Sequence, residues 1–358
     1  MDAMTVAIDL AKEVFEIAIS TERGRIQSRR RLTRRQFGIY VDSLAPDTVV
    51  VMEACGSAHY WARRCQQRGA TVRLLPPQYV RPYVRRNKTD RTDAEALLEA
   101  HRCGGIEAVP VKTVEQQTIQ TLHRLRQQWQ RTRTARINFL RGALREHGLV
   151  FPMGAKTIQR RIGAVIADAE APLSGVTRDT ATWVLDELRV LDEQLAQLNH
   201  RLTQVARTHP IAVRLQQIPG VGVLTATALV GSVPHIHAFR RGRCFASWLG
   251  LTPRETSSGQ RRRLGAISKR GDTYLRTLLV HGGRALLRAA ELRAKNPSQP
   301  LTRVHHWALG VAARRGRNRA ALAIANKLAR IIWAVWHHDR AFASPLVTID
   351  PGGLVHSV

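Results

Sequence analysis

Residues 48–54 read TVVVMEA, and residues 5–11 read TVAIDLA. Both are short apolar runs rich in β-branched side chains, a pattern that predicts buried strands in the centre of a sheet. Each run carries one carboxylate, Glu53 in the first and Asp9 in the second. A carboxylate within a central strand is unfavourable unless it is paired or bound to a cation. These two residues are therefore the first candidates for a functional site.

Outward from these runs, the first 112 residues alternate between strand and helix patterns. The resulting order, β-β-β-α-β-α-β-α, is typical of a mixed sheet flanked by helices, and it places the first and fourth strands side by side. We therefore expect Asp9 and Glu53 to lie close together. The other predicted strands cover residues 14–20, 24–32 and 70–75, and the first two helices cover residues 34–44 and 58–68.

Two more carboxylates, Asp90 and Asp93, lie in the run NKTDRTDAEA at residues 87–96. They are three residues apart at a predicted helix start, so they face the same way. With Asp9 and Glu53 they predict four converging carboxylates, which suit Mg²⁺ or Mn²⁺ and the two-ion chemistry of phosphodiesters. Structural alternatives remain open: an N-cap and a first-turn acid on the helix, and ion pairs with arginine in the strands.

The chain is strongly basic. Its 358 residues contain 56 Lys plus Arg against 27 Asp plus Glu, a formal net charge of +29. Because 44% of the residues are hydrophobic, the charge belongs to a folded protein rather than to a disordered tail. Residues 211–345 alone hold 23 basic and 4 acidic side chains. A surplus of this size predicts a nucleic acid as the partner.

The four cysteines lie far apart and lack ligand spacing, which argues against structural zinc and a disulfide framework. No apolar run reaches the ~18 residues of a membrane span, and no export signal is recognisable. We therefore expect a cytoplasmic protein with no membrane partner.

The middle of the chain, residues 113–210, is predicted to be helical, with a turn at residues 148–175. Its clearest feature is a row of apolar residues with alternating spacings of four and three, which indicates a coiled-coil seam. The seam would pack either on the preceding helix or on a second subunit. We favour a coiled coil that also dimerises, and we expect a homo-oligomer, dimer or tetramer. The seam residues are Val184, Leu188, Leu191, Leu195, Leu198, Leu202 and Val205.

Residues 211–343 form a predicted helical domain with basic loops. The run QIPGVG at residues 217–222 resembles a helix-hairpin-helix, in which Gly220 and Gly222 let backbone N–H groups approach a phosphate. A hairpin that serves only for packing fits the same pattern. The last residues, 344–358, are expected to be a disordered tail.

Together these motifs resemble the insertion-sequence-110 family of transposases. Asp9, Glu53 and the Asn-Lys-Thr-Asp-x-x-Asp run at residues 87–93 are similar to the DEDD site of its RuvC-like domain. The run FASWLGLTPR at residues 245–254 is similar to its second transposase domain. The two blocks occur in the family's order, and the resemblance extends over residues 5–335.

The resemblance implies an α/β plus all-α protein. Residues 1–112 would be a ribonuclease-H-like domain, residues 113–210 a coiled-coil insert, and residues 211–343 a small helical domain with a nucleophilic serine. It also implies recombination of donor and target DNA, guided by a structured non-coding bridge RNA. The implied Mg²⁺ ligands are Asp9, Glu53, Asp90 and Asp93.

The family's serine precedes a glycine, and Ser258 is the matching residue, with Ser257 beside it. From the residues alone, Ser-Ser-Gly predicts a turn. The arginines around it suit a scissile phosphate. The predicted nucleic-acid contacts are Lys88, Gly220, Gly222, Arg254, Arg261, Arg262, Arg263, Lys269 and Arg270.

Two other functions fit the sequence. A metal-dependent junction nuclease would use the same acidic site without a covalent step. A non-enzymatic nucleic-acid-binding protein would use the basic helices alone, but it would gain nothing from converging carboxylates.

Overall fold

A computed structural model describes residues 4–21, 25–84, 90–152, 154–296, 298–343, 347–349 and 355–357. The chain divides into two compact units, Met1–Val114 and Glu115–Val358. Among the helices of the described ranges, none is long and apolar enough to cross a membrane.

The first unit is built on a five-stranded sheet of order β3-β2-β1-β4-β5. Its strands are β1 (Thr5–Asp9), β2 (Val14–Ser20), β3 (Ser28–Thr33), β4 (Val49–Glu53) and β5 (Thr71–Leu75). β1 pairs antiparallel with β2 and parallel with β4. The mixed sheet and the adjacency of the first and fourth strands are thus confirmed. The third strand begins at Ser28, four residues later than predicted.

Helices cover both faces of this sheet. They are α1 (Arg34–Asp42), α2 (Ala58–Gln66), the short α3 (Pro77–Val80) with a 3-10 turn (Arg81–Tyr83), and α4 (Asp90–Arg102). A capping box between Thr33 and Gln36 starts α1. On one face, α1 and α2 bury Phe37 and Trp61 against Phe15.

The second unit starts with long helices. α5 (Val114–Arg145), α6 (Ala155–Ala167) and α7 (Gly175–Thr208) follow one another. Arg126 donates to Asn199 and Arg133 donates to Asp192, so α5 and α7 run antiparallel within one chain.

The predicted turn at residues 148–175 is wrong in its centre, because Ala155–Ala167 forms α6. Ile158 and Ile162, one turn apart, are fully buried in a cluster with Leu140 of α5 and Leu188 of α7. Small and glycine residues around them obscured this short apolar stripe. Tertiary packing therefore decides the local structure here.

The apolar seam of α7 is buried inside the chain. Five of its seven residues, from Leu188 to Leu202, are buried, while Val184 and Val205 at the ends are partly exposed. Leu185 and Ala206 replace them in the core. A straight helix with 3.6 residues per turn drifts away from a heptad repeat, which explains the shift at both ends. The seam thus needs no second subunit to be covered.

We expect Leu195→Ala to lower the free energy of unfolding by roughly 2–5 kcal/mol, because a 6%-exposed leucine leaves a cavity when it is truncated. Val190→Ala, at a half-exposed position on the same helix, is the control and should change it by less than about 0.5 kcal/mol. Urea midpoints measured by circular dichroism compare the two variants. Equal midpoints would contradict this packing of α7.

The rest of the second unit is mainly helical. Its elements are α8 (Pro210–Leu215), α9 (Val223–Ser232), a 3-10 turn (Ile236–Ala238), α10 (Gly242–Trp248), β6 (Pro253–Glu255), β7 (Leu264–Ile267), α11 (Thr273–Ala294), α12 (Arg303–Arg315) and α13 (Arg317–His337). In the predicted tail, β8 (Val347–Ile349) pairs with β9 (Val355–Ser357), and the other tail residues lie outside the described ones.

A buried histidine joins three of these helices. His123 of α5 is 3% exposed; its Nδ1 lies 3.0 Å from Oη of Tyr274 and its Nε2 lies 3.0 Å from Oγ1 of Thr227. Burial lowers the pKa of His123 to about 4, and the nearby Arg126 adds to the shift. The folded protein therefore favours the neutral imidazole.

This pKa makes stability depend on pH. The folded-state pKa is below the ordinary histidine value of 6.5, so unfolding takes up a proton. The free energy of unfolding therefore falls as the pH drops from about 6.5 towards 4. The full loss is about 3 kcal/mol at 1.36 kcal/mol per pKa unit. Urea midpoints measured between pH 7.5 and 4.5 test this pH dependence. His123→Gln should flatten the curve of midpoint against pH, whereas His200→Gln, at an exposed position, should not. Parallel curves for the two variants would refute the role of His123.

Candidate functional site

Asp9 and Glu53 end the adjacent parallel strands β1 and β4. Because side chains alternate between the faces of a strand, Asp9 shares a face with Ala7, and Glu53 shares a face with Val51. Ala7 and Val51 belong to the same apolar cluster as Leu97 of α4. Both carboxylates are therefore on the face of the sheet that α4 covers.

Asp93 brings a third carboxylate to this face. It precedes Ala96, Leu97 and Ala100 by three, four and seven residues, and these three pack against the sheet. Asp93 is therefore on the buried stripe of α4. Its Oδ1 atom is buried, and no described residue offers it a hydrogen bond. Such an oxygen is unfavourable unless a cation or another donor satisfies it.

The electrostatics place the strand carboxylates near one thiol. Burial raises the pKa of Cys55, and the negative charges of Glu53 and Asp9 raise it further. Because both carboxylates affect Cys55, their charges act in the same small region at the end of β4.

Sequence reasoning missed Glu16, which lies directly across from Asp9 in the β1–β2 ladder. Directly opposed residues share a face of the sheet. Glu16 forms an ion pair with Arg31, with Oε1 and Nε 3.3 Å apart. The available signal was the same as for Asp9: a carboxylate interrupts the apolar strand VFEIAIS.

The predicted set of four ligands is only partly described. Asp90 is the first residue of α4, but its side chain, like the whole of Lys88, lies outside the described residues. Within the described ranges, no three His, Cys, Asp or Glu side chains form a metal-binding group. The four-ligand site stays a prediction. Donors that are all carboxylate oxygens, with one buried and unsatisfied, fit Mg²⁺ or Mn²⁺.

The serines lie in a β-hairpin that the sequence did not predict. β6 and β7 pair antiparallel, and Ser258 and Arg261 exchange both backbone hydrogen bonds across the tip. The two-residue turn between them begins with Gly259 at φ +55°. A glycine with positive φ at this position is what a tight hairpin turn requires. Ser258 is thus the last paired residue before the turn.

The two serines differ in their hydrogen bonds. The Ser257 hydroxyl donates to Glu255 at 2.8 Å and accepts from the backbone N–H of Arg263 at 3.1 Å. The Ser258 side chain is exposed and makes no hydrogen bond to any described residue. Ser257 therefore stabilises the hairpin, whereas the hydroxyl of Ser258 is available to a ligand.

The base of the hairpin is clamped by backbone contacts. A Cβ on Gly250 would lie 2.0 Å from the carbonyl oxygen of Arg270, and one on Gly271 would lie 1.9 Å from that of Trp248. Both glycines have positive φ. Only glycine permits this approach. The segments before and after the hairpin therefore cross at a fixed point.

Arg276 of α11 closes this clamp. It is 9% exposed and donates to the carbonyl oxygens of Leu249 and Arg270, one on each side of the hairpin. A third bond goes to the hydroxyl of Thr273. A buried guanidinium with several acceptors fixes the groups that it joins. We infer that Arg276 positions the serine hairpin.

We expect Arg276→Met to loosen the hairpin, because two buried carbonyl oxygens lose a charged donor, at a cost of about 1–3 kcal/mol each. Hydrogen exchange should rise at least tenfold at the backbone amides of residues 250–271. Arg288→Met, elsewhere on α11, is the control. Unchanged exchange in the hairpin would refute the positioning role.

The basic residues predicted to contact nucleic acid around the serines are on the surface. Arg254, Arg261, Arg262, Arg263, Lys269 and Arg270 are all exposed. Two of them also have structural partners. Arg262 forms an ion pair with Glu255, with Nε and Oε1 3.2 Å apart. The hydrogen bond from Ser257 lowers the pKa of Glu255, and the charge of Arg262 lowers it further. Arg254 donates to the carbonyl oxygen of Ser268.

The two glycines of the predicted helix-hairpin-helix have different surroundings. Gly220 has φ +87°, and a Cβ on it would lie 2.7 Å from the carbonyl oxygen of Gly282 in α11. This supports the packing interpretation for Gly220. Gly222 is exposed at the N-terminus of α9 with open space around it. Phosphate binding there remains a prediction.

Comparison with known proteins gives two family matches. A transposase model of the DEDD type matches residues 6–149. The model of the IS116/IS110/IS902 family of transposases matches residues 212–299. The first range contains β4, α4 and all of β1 except Thr5, and the second contains the serine hairpin.

Similar proteins cover nearly the whole chain. A probable family 20 transposase of Pseudomonas aeruginosa is 40% identical over 343 residues, 96% of this chain and 99% of its own. The transposase for insertion sequence element IS1111A of Coxiella burnetii is 40% identical over 93% of this chain and 90% of its own. The transposase for insertion sequence element IS1328 of Yersinia enterocolitica is 34% identical over 94% of this chain and 98% of its own.

Proposed function

Because this chain belongs to the IS116/IS110/IS902 family of transposases, we propose that it recombines DNA through a covalent phosphoserine link at Ser258. The observation that carries the proposal is the difference between the two serines. Ser257 is held by Glu255 and Arg263, whereas the exposed Ser258 hydroxyl, on an arginine-rich hairpin, bonds none of the described residues.

The proposed reaction has two steps, each of which forms one phosphorus–oxygen bond and breaks another. The Ser258 oxygen attacks the phosphorus of a DNA phosphodiester, its proton passes to a base, and the bond from phosphorus to one deoxyribose oxygen breaks. The freed deoxyribose oxygen takes up a proton. In the second step a hydroxyl of the other DNA loses its proton to a base and attacks the phosphorus of the phosphoserine. The bond from phosphorus to the serine oxygen breaks, and that oxygen takes up a proton, which restores the serine and joins the strands. Exposed arginines of the hairpin would stabilise the charge on the phosphate.

We assign the metal site to the acidic face of the first unit, with Asp9, Glu53, Asp90 and Asp93 as ligands. Mg²⁺ or Mn²⁺ bound there would polarise phosphate oxygens and lower the pKa of an attacking hydroxyl. The buried, unsatisfied Oδ1 of Asp93 supports this assignment among the described residues. A serine hydroxyl is a weak nucleophile without such help.

The proposed partners are donor DNA, target DNA and a structured non-coding guide RNA, in the cytoplasm. The net charge of +29 supports binding of several nucleic-acid strands at once. Strand exchange between two DNAs also favours a dimer or tetramer. Because the α7 seam is covered within one chain, another surface would have to join the subunits.

Reconstitution tests this function. The protein, purified with its bound nucleic acid, is mixed with labelled DNA carrying an insertion-sequence end, a target DNA and Mg²⁺. We expect joined products and a protein–DNA adduct that survives denaturation, and we expect ribonuclease pretreatment to abolish both. Joining that resists ribonuclease would refute RNA guidance while leaving the recombinase proposal intact.

A junction nuclease is the second candidate, because carboxylates on one face of a ribonuclease-H-like sheet suffice for metal-activated water. It would cleave DNA without an adduct and without joining. The same reconstitution separates the two, since the nuclease would yield only free ends.

A further inference from the structure

A cavity lies on the opposite side of the sheet from Asp9 and Glu53. α1 and α2 pack on the face that carries Ile8 and Met52, whereas the two carboxylates share the face under α4. Between α1 and α2 is a cavity of about 310 Å³. It is therefore separate from the acidic face.

Arginines dominate the lining of this cavity. Arg34 and Arg35 enter from α1 and Arg64 enters from α2, against one carboxylate, Asp42. Asp42 is already paired with Arg64 and with Arg68, and the Arg64 hydrogen bond is the main cause of its lowered pKa. Among the described residues, no carboxylate pairs with Arg34 or Arg35. The cavity thus has an excess of positive charge.

The position of two of these arginines adds to the positive potential. Arg34 and Arg35 are the first residues of α1, whose first turn has no acidic residue. The N-terminus of a helix carries partial positive charge, so cations there are unfavourable and an anion is favoured. An anionic ligand would offset both effects.

The cavity also has an aromatic wall. Trp61 lines it and is 2% exposed. The guanidinium carbons of Arg34 and Arg64 lie 5.8 and 5.6 Å, respectively, from a ring centroid of Trp61. Gly38 leaves room for Arg64, whose Nη1 would be 3.3 Å from a Cβ there. Beside them Tyr60 is 50% exposed.

We propose that this cavity binds a phosphate group of a single-stranded nucleic acid, with a neighbouring base stacked on Tyr60. Planar guanidinium groups match phosphate oxygens, and an exposed aromatic ring stacks on an unpaired base but not on a base within a duplex. The site rests on the proposed function, in that a recombinase handles such strands. RNA and single-stranded DNA both supply this chemistry.

Binding by the full chain tests the site. Fluorescence anisotropy would measure affinity for single-stranded RNA, single-stranded DNA and duplex DNA at several salt concentrations. Arg35→Gln should weaken single-strand binding about tenfold and reduce its salt slope by about one. Tyr60→Ala should weaken it at least about fivefold, whereas Tyr60→Phe, which keeps the ring, should not. Arg102→Gln on α4 removes the same charge outside the cavity and should change affinity less than about twofold.

The strand that the Arg35→Gln and Tyr60→Ala variants bind less tightly, RNA or single-stranded DNA, identifies the ligand of the cavity. Unchanged single-strand affinity in both Arg35→Gln and Tyr60→Ala would overturn the site, as would a loss confined to duplex DNA or an equal loss with Arg102→Gln. These outcomes do not depend on adduct formation. A wild-type chain that forms no adduct would contradict the proposed function and leave the binding result standing.

Discussion

Replacement of Ser258 by alanine should eliminate both the covalent protein–DNA adduct and strand joining, while affinity for DNA and RNA stays within about twofold. The hydroxyl is the proposed nucleophile, so its loss removes the bond-forming atom. It makes no hydrogen bond to a described residue, so the hairpin keeps its contacts. Denaturing gel electrophoresis of reactions with labelled DNA measures the adduct directly.

Ser257→Ala is the matched control for this variant. It removes a donor to Glu255 and an acceptor for the N–H of Arg263. Each such bond contributes about 1 kcal/mol, so the hairpin should loosen and the adduct should form several-fold more slowly. It should still form. An active Ser258→Ala with an inactive Ser257→Ala would reverse the assignment.

Asp9→Asn and Glu53→Gln should each reduce strand cleavage by at least roughly 10²–10³-fold, the loss typical when a charge-stabilising group is removed. The affinity for nucleic acid should equal or exceed that of the wild-type chain, because arginines provide the contacts to phosphate and each variant loses one negative charge. The measurements are the cleavage rate at saturating DNA and the anisotropy of labelled strands.

The control for the acidic variants is Glu99→Gln on α4. Glu99 is partly exposed and pairs with Arg102, with Oε1 and Nη2 2.7 Å apart. It should cleave at the wild-type rate. Cleavage by the wild-type chain in excess chelator would contradict the metal assignment, even if Asp9→Asn were inactive.

Much of the first unit is predictable because its strands are short apolar runs with clear ends. The order of elements placed β1 beside β4, and a carboxylate within each strand marked Asp9 and Glu53. α6 was not predicted, since its two buried isoleucines are separated by three polar residues, and they become a stripe only when α5 and α7 pack on them. Local propensity is a weak guide where tertiary contacts decide the structure.

The site shows the same limit. The family resemblance points to Ser258, the serine before the glycine, but the residues alone give no physical reason to prefer it to Ser257. That difference depends on the hairpin register, which brings the N–H of Arg263 to Ser257. Arg276 was also missed, because its acceptors lie 6 and 27 residues away. Contacts of that kind follow from folding, and no spacing rule predicts them.

Peptide mapping of the trapped adduct tests the central claim most directly. Wild-type protein is reacted with DNA and Mg²⁺, denatured, digested with protease and nuclease, and analysed by tandem mass spectrometry. The account predicts a nucleotide joined through phosphate to Ser258. A nucleotide on Ser257, or efficient cleavage with no adduct on any serine, would contradict it.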